Sequence, residues 1–359
     1  MTDNISAPSR VGSQRLFNIQ ALRGVAALLV ALDHCGTFYR HREYGEFFSK
    51  SGSEGVLLFF IISGFIMVFT TGSARDGAAE FIRNRVTRVV PLYWFITLVV
   101  FFVALVTPSM VKSTHANLLE LVESMAFIPF LKESGVVEPI VFVGWSLNYE
   151  MFFYGLFAIG LLAKNRRAGV LGVVGVLFVL ILVGRWIPAS AVAVHFWTQP
   201  ILMEFALGML LGTIWQTFPI QTPSPNVARS CLVLSVLVLL VAPEHILQVC
   251  DIGFGAASGM IVAAALVLER NGKQLRWQWV QRLGDASYSI YLTHFFVTGA
   301  MEKACRHISP GGVGIVAFIL VSLVLSGVVG VVVHIWIERP LTAAARRLWV
   351  ATRRSPLLA

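Results

Sequence analysis

Ten predominantly apolar stretches, most of them close to 20 residues long, recur along this chain of 359 residues and restrict its fold more than any other feature. A helix of about 20 apolar residues crosses the hydrocarbon core of a bilayer. Charged residues make up only 13% of the chain, about half their share in soluble domains. The sequence therefore predicts an all-α, polytopic integral membrane bundle. We place its spans at 19–39, 55–71, 88–107, 144–163, 169–187, 198–216, 229–243, 251–268, 284–303 and 313–336.

One further apolar stretch, at 117–131, is too short to cross a bilayer and carries Glu120 and Glu123. We expect it to form an interfacial or re-entrant helix.

The net charge of +9 follows from membrane topology. An even number of spans places both termini on one side, and most Lys and Arg of the loops then lie on that side, as in the cytoplasmic loops of membrane proteins. Nucleic-acid binding would need a basic face on a soluble module, and the sequence contains no such module. We expect a multi-pass protein with a disordered cytoplasmic tail at 1–15, one transmembrane domain at 16–340 and a basic cytoplasmic tail at 341–359.

The first span carries an arginine and a histidine, Arg23 and His34, which are eleven residues apart. This spacing is close to three helical turns, so both side chains lie on one stripe, about 16 Å apart along the axis. An arginine at the centre of a membrane helix costs about 2.5–3.5 kcal/mol and usually faces a polar cavity. The pair therefore favours a site inside the membrane. The alternative is that Arg23 snorkels to the headgroups and His34 is satisfied by a neighbouring helix.

Arg85 and Arg88 lie three residues apart at the start of the third span, so they share one helix face, with Arg83 nearby. Two guanidinium groups on one face make a suitable clamp for phosphate. The alternative is topology alone, because loops on this side attract arginine.

Glu150 lies in an otherwise apolar helix, beside Trp145 and Ser146. A buried carboxylate needs a partner, and His34 or a sugar hydroxyl is the expected one. Ser146, Asn148 and Tyr154 are also expected within hydrogen-bonding reach. The alternative is a purely structural hydrogen bond to another helix.

A polar helix face is also expected near residue 290, where Ser287, Tyr291 and His294 recur at spacings of four and three. This face either lines a cavity or packs against another helix. No metal-binding, P-loop or serine-hydrolase spacing occurs in the sequence.

Taken in this order, the clusters resemble the acyltransferase 3 family of bacterial membrane O-acyltransferases, and most of all its exopolysaccharide-modifying members. One position departs from the family pattern: Leu57 stands where an acidic residue is common. The resemblance spans roughly 18–340 and comprises Arg23 with His34, Phe59-Phe60 with Ser63-Gly64-Phe65, Arg85 and Arg88 before Pro91-Leu92-Tyr93-Trp94, Trp145-Ser146-Leu147 with Glu150, and Ser287-Tyr288-Ser289 with His294.

This resemblance implies an inner-membrane enzyme that moves an acyl group, usually acetyl, from cytoplasmic acyl-CoA to a hydroxyl of an extracytoplasmic or lipid-linked polysaccharide. Acyl-CoA is then a co-substrate, and no cofactor or metal is permanently bound. His34 acts as general base or transient acyl carrier, with Glu150 orienting it and Arg23 on the donor path. The expected acyl-CoA contacts are Arg83, Arg85, Arg88 and Tyr93. The expected acceptor or cavity-lining residues are Trp145, Ser146, Ser287, Tyr291 and His294.

A transporter or flippase for a small polar solute or glycan is the alternative function, because charged groups inside a bundle also suit a permease. Against it, no inverted repeat of broken helices is evident. The sequence leaves the oligomeric state open.

Overall fold

The computed structural model describes residues 15–36, 45–71, 77–107, 116–217, 223–241, 251–305 and 312–354, and all of its regular elements there are helical. These include a 3₁₀ turn at Phe142–Gly144 and a π-helical turn at His334–Glu338. The α-helices are α1 (Phe17–Gly36), α2 (Gly45–Thr70), α3 (Ala78–Val106), α4 (Leu118–Met125), α5 (Trp145–Gly160), α6 (Arg166–Gly184), α7 (Val192–Phe196), α8 (Leu202–Thr217), α9 (Pro225–Val241), α10 (Asp251–Arg270), α11 (Gln278–Asp285), α12 (Ser287–Cys305), α13 (Gly312–Val333) and α14 (Arg339–Arg354).

The all-helical prediction is confirmed for the described residues, but the number of ten spans is not. Each predicted span overlaps a helix, and the stretch at 117–131 contains the short helix α4. The described helices that are long and apolar enough to cross a membrane are four: Ala78–Val106, Arg166–Gly184, Gly253–Arg270 and Val313–Trp349. Other helices, such as α5 and α8, have only 16 residues each. The chain is a multi-pass membrane protein, and its exact span number stays a prediction.

The two predicted tails fall partly outside the described residues. Residues 1–14 and 355–359 are not among them. The tail expected from residue 341 is helical as far as Arg354, where α14 ends.

The first turn of α1 is anchored to α10 and to the segment that follows it. The carboxylate of Glu269 accepts hydrogen bonds from the backbone N–H groups of Phe17 (3.1 Å) and Asn18 (2.6 Å). Such N–H groups have no partner within their own helix, and a negative charge there is favoured by the helix dipole. The side chain of Asn18 donates to the carbonyls of Ala265 (3.2 Å) and Lys273 (3.0 Å). These contacts fix the start of the helix that carries Arg23 and His34.

Helix α2 packs between α1 and α8 through residues without side chains. A Cβ atom at Gly208 would overlap the carbonyl oxygen of Ile61, and one at Gly64 would overlap that of Phe205. Small residues allow this close approach of helix backbones in membranes. The packing holds Phe60 and Ser63 in place on α2.

We expect Gly208→Ala to destabilise the fold by about 1–3 kcal/mol, because the added methyl group must push α8 away from α2. The matched control is Gly175→Ala on α6, where a Cβ would meet no atom within 4 Å. Thermal unfolding of both variants in detergent measures the difference. Equal midpoints for the two variants would contradict this packing.

Candidate active site

A cavity lies between α1, α2, α3, α5 and α12. Of the residues expected from the sequence to form the site, seven line this cavity: Arg23, Arg85, Arg88, Ser146, Glu150, Ser287 and Tyr291. Its other lining residues are Val56, Phe59, Phe60, Ile62, Ser63, Ile66, Val89, Leu147, Tyr154 and Tyr288.

Three arginine side chains, Arg23, Arg85 and Arg88, line this cavity and make it positively charged. Arg85 donates to the hydroxyl of Thr70 (3.1 Å) and lies over the ring of Tyr154, 5.8 Å from its centroid. Arg23 donates to the side chain of Gln20 at 3.3 Å. Within the described part of the chain, neither of these nor Arg88 forms an ion pair. Their remaining N–H donors are suited to bind an anion, phosphate above all.

Glu150 is the carboxylate of the cavity wall, and it is held by two hydroxyl groups. Ser63 donates to its Oε1 atom at 3.1 Å, and Tyr154 donates to the same atom. Its charge also acts on Arg23 and Arg85. The hydrogen bond from Tyr154, expected from the sequence, is confirmed. His34, the other protein partner expected for Glu150, is not bonded to it, and Ser63 is an additional donor.

Tyr291 is hydrogen-bonded to Ser146 and Val143 at the end of the cavity away from Arg85, and we call this set of contacts the closure. The hydroxyl of Tyr291 donates to the carbonyl of Val143 (2.6 Å) and lies 2.7 Å from the hydroxyl of Ser146. The ring of Phe59 contacts that of Tyr291, with centroids 5.7 Å apart. On α5, Ser146 precedes Tyr154, which packs under Arg85, by about two turns. The arginines and this closure therefore mark opposite ends of the cavity.

His34 and His294 form a pair just beyond the closed end. The Nδ1 atom of His34 lies 3.3 Å from Nε2 of His294, and the ring centroids are 4.8 Å apart. His294 follows Tyr291 on α12 by about one turn. Phe142 covers another side of His34, with centroids 5.2 Å apart. His34 therefore does not line the cavity itself, although the sequence placed it on the same helix stripe as Arg23.

The hydrogen bonds of the pair determine where each ring carries its proton. Nδ1 of His34 lies 2.8 Å from the carbonyl of Val30, and Nδ1 of His294 lies 3.2 Å from that of Ile290. A carbonyl only accepts, so both Nδ1 atoms are donors in neutral rings. Nε2 of His294 is then an acceptor that faces the Nδ1–H of His34. Nε2 of His34 keeps its lone pair.

Four further expected residues lie outside the cavity. Arg83 pairs with Glu80 at 2.5 Å on another face of α3, because the two-residue offset from Arg85 rotates it by about 200°. Tyr93 is buried against Phe127, and Trp145 packs against Phe60. His294 is completely buried in the pair with His34.

Glu338, in the π-helical turn, was not foreseen from the sequence. Its Oε2 atom accepts hydrogen bonds from Ser289 (2.6 Å) and His334 (2.8 Å), and its charge acts on Arg23. It lies two residues beyond the last predicted span, 313–336. A carboxylate directly after an apolar stretch and before Arg339-Pro340 is the sequence feature that could have identified it. π-Helical turns are frequent at functional sites.

Comparison with known proteins places these helices in a recognised group. A family described as "Acyltransferase domain" matches residues 16–333. "Exopolysaccharide production protein ExoZ" of Rhizobium meliloti (strain 1021) is 32% identical over 314 residues, which cover 86% of this chain and 95% of that protein. "Acyltransferase MdmB" of Streptomyces mycarofaciens is 27% identical over 391 residues, with 95% of this chain and 96% of that protein covered. No solved structure matches the chain.

Proposed function

The chain belongs to the acyltransferase domain family as a membrane O-acyltransferase, and on that premise we propose that it transfers an acyl group, usually acetyl, from cytoplasmic acyl-CoA to a hydroxyl of an extracytoplasmic or lipid-linked polysaccharide. The name of the Rhizobium relative refers to exopolysaccharide production, which supports a polysaccharide as the acceptor. We place the protein in the bacterial inner membrane with both termini in the cytoplasm.

The observation that carries this proposal is the convergence of Arg23, Arg85 and Arg88 on one cavity that ends one turn from a histidine pair. CoA carries phosphate groups at one end and the thioester at the other. Guanidinium groups that form no ion pair with the described residues suit the phosphates. The thioester would extend from them toward the closed end at Tyr291.

His34 is the proposed base. Its Nε2 atom takes the proton of the acceptor hydroxyl as the oxygen attacks the thioester carbonyl. The tetrahedral intermediate then expels the CoA thiolate, which receives that proton from the imidazolium. The products are the ester and CoA. Attack by Nε2 itself, with a transient acyl-imidazole, is the covalent variant.

The donor and acceptor reach His34 from different directions in this scheme. The closure by Tyr291 and Ser146 must open for the thioester to pass, and these hydroxyls are then placed to donate to the carbonyl oxygen as negative charge develops there. The side chain of His34 is 24% exposed, although it does not line the cavity. We propose this exposed side as the route of the acceptor.

The direct test uses the purified protein in detergent with radiolabelled acetyl-CoA, with and without a polysaccharide acceptor. We expect release of CoA and appearance of label in the acceptor. A transporter would produce neither. Mass spectrometry of surface polysaccharide from strains with and without the protein then identifies the acylated sugar.

A further inference from the structure

We infer that His294 is a positioning residue for the reaction: it accepts the hydrogen bond of the His34 Nδ1–H and thereby directs the Nε2 atom of His34 toward the reacting groups. This inference rests on the proposed function, in which that Nε2 atom is the base.

The surroundings of His294 leave its Nε2 atom only this role among the described residues. The ring is 0% exposed, and its Nδ1–H is directed at the carbonyl of Ile290. The only hydrogen-bond partner of its Nε2 atom in the described part of the chain is Nδ1 of His34. A buried imidazole nitrogen needs a partner of this kind. This hydrogen bond between the two rings therefore joins α1 to α12.

The carbonyl of Val30 alone does not fix the ring of His34 in this way. Val30 lies on the same helix, four residues earlier, so its hydrogen bond follows any movement of α1. His294 comes from another helix and fixes His34 relative to Tyr291 and the end of the cavity. Asp33 Oδ2 lies 3.9 Å from the same nitrogen, which is too far for a hydrogen bond.

The same contact supports the charged form of His34 during turnover. When Nε2 takes the acceptor's proton, the Nδ1–H group becomes a stronger donor. It is then shared by two acceptors, the carbonyl of Val30 and the lone pair of His294. A neutral partner cannot attract the imidazolium as a carboxylate would, so the effect is orientation together with hydrogen bonding.

Two variants of similar length separate this role from simple packing. His294→Gln keeps an oxygen acceptor near the position of Nε2, whereas His294→Met fills similar volume with only a weak acceptor. We expect kcat of the methionine variant to fall on the order of 10- to 100-fold, the loss seen when the partner that orients a metal-binding histidine is removed. We expect KM for acetyl-CoA to stay unchanged, and the glutamine variant to keep most of the turnover.

The controls decide the remaining outcomes. His195→Met alters another histidine whose Nδ1 atom contacts a carbonyl, that of Ile187 at 3.1 Å, and it should leave kcat unchanged. Equal turnover of the glutamine and methionine variants would overturn the inference. If His294→Met does not fold, His294→Asn replaces it, because its shorter amide cannot reach His34. An asparagine variant as active as the glutamine variant would also overturn the inference.

These outcomes are distinguishable from failure of the proposed function itself. If the wild-type protein transfers no label from acetyl-CoA, or if His34→Ala is fully active, the proposed function fails. If His34→Ala is inactive and His294→Met turns over normally, only the positioning role is lost.

Discussion

His34→Ala lowers kcat for acyl transfer by about 10²- to 10⁴-fold, the range that a general base contributes, while the protein stays folded in the membrane. The reason is that Nε2 of His34 keeps a free lone pair, whereas its Nδ1–H is directed at Val30 and His294. Alanine cannot replace this group. Initial rates with labelled acetyl-CoA and the acceptor measure the loss.

Donor binding separates a chemical defect from a structural one. The arginines lie at the other end of the cavity, so the affinity of the His34→Ala variant for CoA, measured by calorimetry, should equal that of the wild type. The matched control is His195→Ala, which should keep wild-type kcat. Retained acylation in the His34→Ala protein would remove histidine from the mechanism.

Arg88→Gln raises KM for acetyl-CoA by about 10- to 100-fold with a smaller effect on kcat. Truncating a hydrogen bond to a charged group costs about 1.5–3 kcal/mol, and each 1.4 kcal/mol is about tenfold in affinity. Arg88 lines the cavity and has no ion-pair partner among the described residues, so the phosphates of CoA are its expected counter-charge. Steady-state kinetics at several donor concentrations measure the change.

The chain offers a close control on the same helix. Arg83→Gln removes the same charge from a residue that already pairs with Glu80 outside the cavity, and KM should stay near the wild-type value. Acetyl-pantetheine lacks the phosphates, so Arg88→Gln and the wild type should process it alike. Equal damage from the Arg83 and Arg88 substitutions, or an equal effect on acetyl-pantetheine, would exclude the phosphate role.

The part of the site that was predictable from the sequence depends on local periodicity. Arg23 and Glu150 were identified as charged residues in apolar stretches, because their cost in a membrane requires a polar environment. Arg85 and Arg88 were identified by their spacing of three residues, which places them on one helix face. The same reasoning found the helices, since each needs only a run of apolar residues. The sequence did not establish how many of these helices span the membrane, because short or polar helices inside a bundle do not reach the length of about 20 apolar residues that a span requires.

Partners that come from other helices were not predictable, because they depend on which helices pack together. The contact between His34 and His294 joins residues 260 positions apart, and no spacing rule reaches that far. Glu150 was assigned to His34 by depth alone, whereas the packing of α2 brought Ser63 to it. Arg83 was grouped with Arg85 by proximity in sequence, although helix rotation turns it to another face.

The bonds that Tyr291 makes with Val143 and Ser146 bear on a hazard that soluble transferases never meet. In the proposed orientation, a water-filled path from the arginines past His34 would connect the two compartments that the bilayer insulates. Protons could then cross along it and dissipate the membrane potential. In that orientation, a phenol that sealed this passage between turnovers would let the protein carry chemistry across the membrane without becoming a leak.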